Sequence, residues 1–194
     1  DDNIASVLST VEAKVDGLAR RAVLSGELAP DKLVLEATRQ RILRYGENPH
    51  QAGVLYTTGG VGFGGAQVVQ GKPLSFTNLL DLDAAARLML EFDEPAAVVV
   101  KHMNPCGVAT GQTLDAAYVS AREVDPLSAF GGIVGVNRRI DKETAISIIS
   151  TFIEAVVAPD ADEEAKAVFA TKKNLRLVLA DCCSKGGDVR LTRE

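Results

Sequence analysis

The 194-residue sequence has no tryptophan, 5% aromatic residues, two histidines, two methionines and three cysteines. Two of the cysteines, Cys182 and Cys183, are adjacent, which argues against a disulfide framework and for a reducing, cytoplasmic compartment. No apolar run approaches the ~18 residues of a membrane-spanning helix. No block of five like charges occurs, and the formal net charge is −5, so the footprint of a nucleic-acid binder is missing. The first residues, Asp1-Asp2-Asn3, lack the basic and apolar regions of a signal peptide. There is no initiator methionine, and the chain ends in the polar run Ser184-Lys185-Gly186-Gly187-Asp188, so a segment of a longer protein is the expectation. What is present, 46% hydrophobic residues, suffices for one core or two small ones. The expectation is a soluble α/β protein with neither a nucleic acid nor a membrane as partner.

Periodicity orders the chain. Ile4, Val7, Leu8, Val11, Val15, Leu18 and Ala22 fall on one helical face, with Gly26 as a stop. Leu33 to Arg44 reads either as strand or as an irregular arm. Val54 to Thr58 and Gln67 to Gln70 read as extended, separated by a glycine-dense loop. Helices are expected over Asn78–Phe92, Thr113–Val124, from the cap Asp141 to about Phe152, and over Ala161–Thr171. Strands are expected over Ala96–Val100, Phe130–Val136, Ala155–Val157 and Leu175–Ala180. Helices of this length alternating with short apolar strands imply βαβ units and a largely parallel sheet. Val98, Val99, Val100, Ile133, Val134, Val156 and Val157 are its expected core.

Two familiar motifs fail on inspection. Gly60-x-Gly62-x-x-Gly65 has the dinucleotide spacing, but Ala66-Gln67-Val68-Val69-Gln70 follows as strand rather than as the phosphate-binding helix, which makes a hairpin loop the better reading. His102 and Cys106 lie four apart, yet the Glu and second Cys of a zinc-dependent nucleobase deaminase are missing, so no metal is expected.

Three segments concentrate chemistry. Lys101 and His102 end an apolar strand before Asn104-Pro105-Cys106-Gly107. Ligands of open α/β sheets bind outside strand carboxyl ends. Neighbouring residues on a strand face opposite ways, so these two can serve one site only where the strand stops. A lysine reaching for solvent beside a histidine bonded within a turn fits the same residues. Arg44-Tyr45-Gly46-Glu47-Asn48-Pro49-His50-Gln51 packs a guanidinium, phenol, carboxylate, amide and imidazole around turn formers, which suits an anionic ligand or simply a solvated loop, with His50 read as structural. Ser128-Ala129-Phe130-Gly131-Gly132 joins a helix to a strand through two glycines that allow close approach of backbone to a ligand.

Together with Gln70-Gly71-Lys72-Pro73-Leu74-Ser75 and Ile153-Glu154-Ala155-Val156-Val157-Ala158-Pro159, these collinear motifs resemble the formyltransferase part of the AICAR formyltransferase/IMP cyclohydrolase family, from about residue 40 to 180. The resemblance implies a cytidine-deaminase-like αβ layered fold working without the deaminase zinc. It implies that residues 1–32 connect from the cyclohydrolase side and that residues 33–194 form the first transformylase subdomain. A cyclohydrolase domain would precede the chain, and a second transformylase subdomain would follow it. The implied reaction moves a formyl group from the co-substrate 10-formyltetrahydrofolate to the 5-amino group of AICAR, giving FAICAR in purine biosynthesis, in a homodimeric enzyme. By matching motif, Arg44 and Tyr45 would bind the nucleotide, with Arg44 on its phosphate. Lys101 and His102 would be the catalytic pair. Gly131 would approach the nucleotide through its backbone, and Glu154 would keep a carboxylate where some members have Asp.

The chemistry suits those roles. The amino group of AICAR is a poor nucleophile because its lone pair is delocalised into the ring. An imidazole, which ordinarily titrates near neutral pH, can take its proton, and an ammonium can stabilise the oxyanion of the tetrahedral intermediate. Two readings stay open from the sequence: half of an enzyme's site, or a nucleotide-binding or dimerisation module without turnover of its own.

Overall fold

The computed structural model describes residues 37–57 and 65–180. The expected N-terminal helix, most of the glycine-dense loop and the Cys182-Cys183 pair lie outside them. Strands β1 (Thr38–Ile42) and β2 (Val54–Thr57) form an antiparallel ribbon, so within Leu33 to Arg44 the described part, from residue 37, holds a strand, and residues 33–36 lie outside the described residues. The remaining strands are β3 (Gln67–Gln70), β4 (Ala96–Lys101), β5 (Asn104–Thr110), β6 (Ile133–Val136), β7 (Ala155–Ala158) and β8 (Arg176–Leu179). They build one six-stranded sheet in the order β3-β8-β7-β6-β4-β5. The helices are α1 (Phe76–Met89), α2 (Leu114–Val124), the short α3 (Pro126–Ala129), α4 (Lys142–Ile149) and α5 (Glu163–Ala170).

Local chemistry explains most boundaries. Ser75, Thr113, Asp141 and Asp162 each accept a hydrogen bond from the backbone N–H three residues on, the N-cap arrangement that satisfies an orphan donor. At α1 the Asn78 side chain returns the favour to the Ser75 N–H. Ala96 to Val100 is buried throughout, as befits a strand covered on both faces. A Cβ on Gly135 of β6 would meet Met89 and Ala85 of α1, whereas one on Gly107 of β5 would meet Ala121 of α2. Gly135 pairs with Val98 and Gly107 with Val99, which point to opposite faces, so α1 and α2 sandwich the sheet. The seven residues expected in the core are all buried.

The α/β layered architecture is as expected, but β4 is not parallel to its neighbours. It pairs antiparallel with both β5 and β6, while β6, β7 and β8 are mutually parallel and β3 is antiparallel to β8. Strand β5 was not anticipated, because Asn104-Pro105-Cys106-Gly107 reads as turn. It lies at the sheet edge, where a proline costs no ladder hydrogen bond. A two-residue link between β4 and β5 forces them antiparallel, since a parallel pair needs a crossover of a dozen or more residues. That crossover is α2, which carries the chain over β4 from β5 to β6. β5, β6, β7 and β8 thus all point one way, with β4 inserted against them.

Candidate active site

The inverted β4 decides where a site can form. Its carboxyl end lies beside the amino ends of β6, β7 and β8, so Lys101, Gly131, Glu154 and Arg176 share one rim of the sheet. The carboxyl-end rule therefore describes Lys101 alone. The rim is stitched by backbone bonds: Gly131 N–H to the Phe152 carbonyl at 2.8 Å, Glu154 N–H to Gly132 at 3.0 Å, and Arg176 N–H to Glu154 at 3.1 Å. Lys101 Nζ donates to the Phe130 carbonyl at 2.9 Å. One of three ammonium hydrogens is thereby held, which aims the other two.

Helix α1 and the segment after β1 complete the rim. The Glu154 carboxylate accepts from Asn78 Nδ2 at 3.2 Å and lies 3.5 Å from Nη1 of Arg176. Arg176, buried, also donates from Nε to the Pro73 carbonyl at 3.4 Å. Burial pulls its guanidinium below the usual range; Glu154 opposes that, Arg44 adds to it and Tyr45 opposes it, so all four side chains lie within electrostatic reach. Arg44 N–H donates to the Leu74 carbonyl at 2.8 Å, and the Tyr45 carbonyl accepts from Phe76 N–H at 3.1 Å. These bonds pin the segment to the start of α1. The exposed Arg44 guanidinium lies 5.4 Å from the centroid of the Tyr45 ring, a cation–π contact that holds the fork without consuming its donors. Gly46 N–H to the Gln51 carbonyl closes the following loop, on which His50 is exposed.

Between Lys101 and Asn104 the chain reverses on His102 and Met103, with φ of 53° and 63°. Two successive left-handed residues are the backbone of the tight hairpin turns that normally select Asn-Gly. For side chains bearing a Cβ the conformation costs roughly 1–2 kcal/mol per residue. Asn104 Nδ2 donates to the His102 carbonyl at 2.8 Å, and Met103 N–H donates to Asp81 Oδ1 of α1 at 2.6 Å. The strand does end at Lys101, as the joint use of Lys101 and His102 requires. The turning residues, though, are His102 and Met103 rather than Asn104 and Pro105.

Gly131 needs its glycine, since its φ is +75°. Its N–H being engaged, it offers a ligand its carbonyl and open Cα. Beside it, the exposed rings of Phe130 and Phe152 lie 5.4 Å apart and form an apolar wall. Cys106 is half-buried in β5. Burial pushes its thiol up, Asp125 and Asp81 push the same way and Lys101 opposes them, so it lacks the lowered pKa of a reactive cysteine. Among the described residues no three His, Cys, Asp or Glu side chains converge to hold a metal ion, and no helix is long and apolar enough to cross a membrane.

The structure thus brings Arg44, Tyr45, Lys101, His102, Gly131 and Glu154 to one rim. It adds Asn78, Asp81 and Arg176, which the sequence reading missed. A signal existed for Arg176: a charged residue within the apolar run Leu175-Arg176-Leu177-Val178-Leu179 must find a partner if the strand is buried. Asn78 and Asp81 read as ordinary helix residues.

A family model described as AICARFT/IMPCHase bienzyme matches residues 1–192. The chain is 49% identical to a bifunctional purine biosynthesis protein PurH from Rhodospirillum rubrum over 85% of its length and 32% of that relative's. It is 53% identical to the PurH of Anaeromyxobacter dehalogenans, over 78% of the chain and 30% of the relative. Against the PurH of a Cyanothece species the identity is 48%, over 84% and 32%. The chain spans about a third of the length of these curated relatives.

Proposed function

Because the chain belongs to the AICARFT/IMPCHase bienzyme family, a family of purine biosynthesis, we propose that its sheet rim is the nucleotide half of a formyl-transfer site. The reaction would carry the formyl group of 10-formyltetrahydrofolate to the 5-amino group of AICAR. The observation that supports this reading is the hydrogen-bonded chain linking Arg44, Tyr45, Glu154, Gly131 and Lys101 around α1 and the strand ends. Scattered side chains would instead have favoured a binding or dimerisation module.

On this reading residues 1–32 connect from a cyclohydrolase domain, residues 33–194 are the first transformylase subdomain, and the rest of a homodimeric, cytoplasmic enzyme supplies most folate contacts. Arg44 takes the phosphate through its planar fork, with the Tyr45 ring fixing its plane. Glu154, held by Asn78 and Arg176, accepts from the amino or carboxamide N–H groups of the nucleotide. The amino nitrogen attacks the formyl carbon as His102 takes its proton, and the Lys101 ammonium faces the oxyanion. Collapse breaks the bond from that carbon to the folate nitrogen, which receives a proton.

Steady-state kinetics at saturating formyl donor test this in a full-length bienzyme carrying the segment. His102→Ala should lower kcat by about 10²–10⁴-fold, the usual reach of a general base, with little change in nucleotide KM. Lys101→Ala should also lower kcat, and the double variant should lose less than the product of the two. Arg44→Ala should mainly raise KM, since the phosphate is unchanged by the reaction. A His102→Ala enzyme with wild-type kcat and raised KM would make Lys101-His102 a binding turn.

A further inference from the structure

We infer that Asp81 is a positioning residue for His102: its carboxylate holds the β4–β5 turn in the left-handed conformation that presents the imidazole to the rim. The inference rests on the catalytic reading of His102 given above. Among the described residues, His102 and Met103 are the only non-glycine residues with positive φ, and they are consecutive. Histidine enters the left-handed region more readily than most residues but methionine does not, and the pair lacks the glycine such turns select, so neighbouring structure must hold it. Two side chains do so. Asn104 Nδ2 ties down the His102 carbonyl from within the hairpin, and Asp81 Oδ1 accepts the Met103 N–H from outside it at 2.6 Å. Only the second bond relates the turn to the rest of the site. Asp81 lies on the helix whose first turn, through Asn78, grips the Glu154 carboxylate, and whose start is bonded to the Arg44-Tyr45 backbone. A charge-assisted bond to a rigid helix thus fixes the backbone of the turn that carries His102 relative to the helix that grips Glu154. Since proton transfer needs heavy atoms within hydrogen-bond reach, a turn that relaxes to ordinary φ takes His102 out of range.

The test joins a readout of the turn to a readout of the reaction. In the 194-residue chain, NMR couplings between the amide and α protons report φ at residues 102 and 103, and amide exchange reports the Met103 bond. In a full-length bienzyme, kinetics report kcat and nucleotide KM. Asp81→Ala should shift the couplings, speed Met103 exchange at least tenfold and lower kcat by about 10–100-fold, with KM changed less than about threefold. Asp81→Asn keeps an acceptor oxygen without the charge and should restore most of the loss. Met103→Gly, which accepts the left-handed conformation freely, should recover much of the kcat lost by Asp81→Ala when combined with it. Unchanged couplings and exchange in Asp81→Ala would overturn the inference. So would Asn and Ala variants that are equally impaired with no recovery from Met103→Gly, since charge rather than geometry would then be at work. A displaced turn with kcat intact, in a protein where His102→Ala is inactive, would also overturn it. A displaced turn with both Asp81→Ala and His102→Ala at wild-type kcat would uphold the clamp and overturn only the catalytic reading of His102.

Discussion

Gly107 lies in the same motif as Lys101 and His102, but its packing assigns it to the core rather than to the site, and that difference can be measured. A Cβ built there overlaps the carbonyl oxygen of Ala121 and comes within 2.9 Å of the Ala121 carbonyl carbon and 3.0 Å of Val124 Cβ. The obstacle is the backbone of α2, so no rotamer relieves it. Either α2 lifts from β5, loosening the buried Ala117, Tyr118 and Ala121, or β5 bends away from β4. Overpacking a core costs typically ~1–3 kcal/mol, and a clash with helix backbone belongs at the upper end. At ~2–4 °C per kcal/mol for a domain of this size, Gly107→Ala should lower Tm by about 6–12 °C. Circular dichroism of the 194-residue chain, by heat and by urea, would show a lower midpoint with unchanged m. Gly131→Ala is the control: its Cβ meets nothing closer than the Phe152 ring at 3.4 Å, and its cost is the left-handed φ, roughly 1–2 kcal/mol. A Gly107→Ala midpoint within about 2 °C of the parent would refute the packing argument.

Arg176→Met keeps side-chain volume while freeing the Glu154 carboxylate; AICAR affinity by calorimetry should fall several-fold with stability changed by no more than about 1 kcal/mol, because Glu154 can rehydrate. Unchanged affinity would show that Arg176 does not orient Glu154. Ser75→Ala removes the acceptor that caps α1 and should cost about 1 kcal/mol in urea unfolding; no loss would mean that the cap is dispensable. The Ser128 hydroxyl and backbone N–H hold the Asp125 carboxyl below its usual range, the Leu127 N–H assisting against slight desolvation. The charged form is the bonded one, so this contribution is present above the ordinary carboxylate pKa and lost as pH falls through the depressed folded value. The Ser128 amide shift should therefore titrate with a midpoint below ~3.9, and a midpoint at or above that value would contradict the bond.

The sequence alone determined what depends on near neighbours. Continuous apolar runs at Ala96–Val100 and Ala155–Val157 announced buried strands. Caps such as Asp141 marked helix starts, and the motif-bearing segments around Arg44, Lys101, Gly131 and Glu154 were legible one by one. Their number and order also carried the family. Strand direction is another matter, because a run of valines pairs equally well either way until its connections are known. The hairpin through His102 and Met103, made without the usual Asn-Gly, inverted β4 and let Pro105 enter an edge strand. Only that inversion puts the carboxyl end of β4 beside the amino ends of β6, β7 and β8, and so Lys101 beside Gly131 and Glu154. The same is true of Asn78, Asp81 and Arg176: helix period and strand alternation place each side chain on a face. Which carboxylate or turn that face meets is set by contacts between residues 22 to 76 positions apart, which tertiary packing alone supplies.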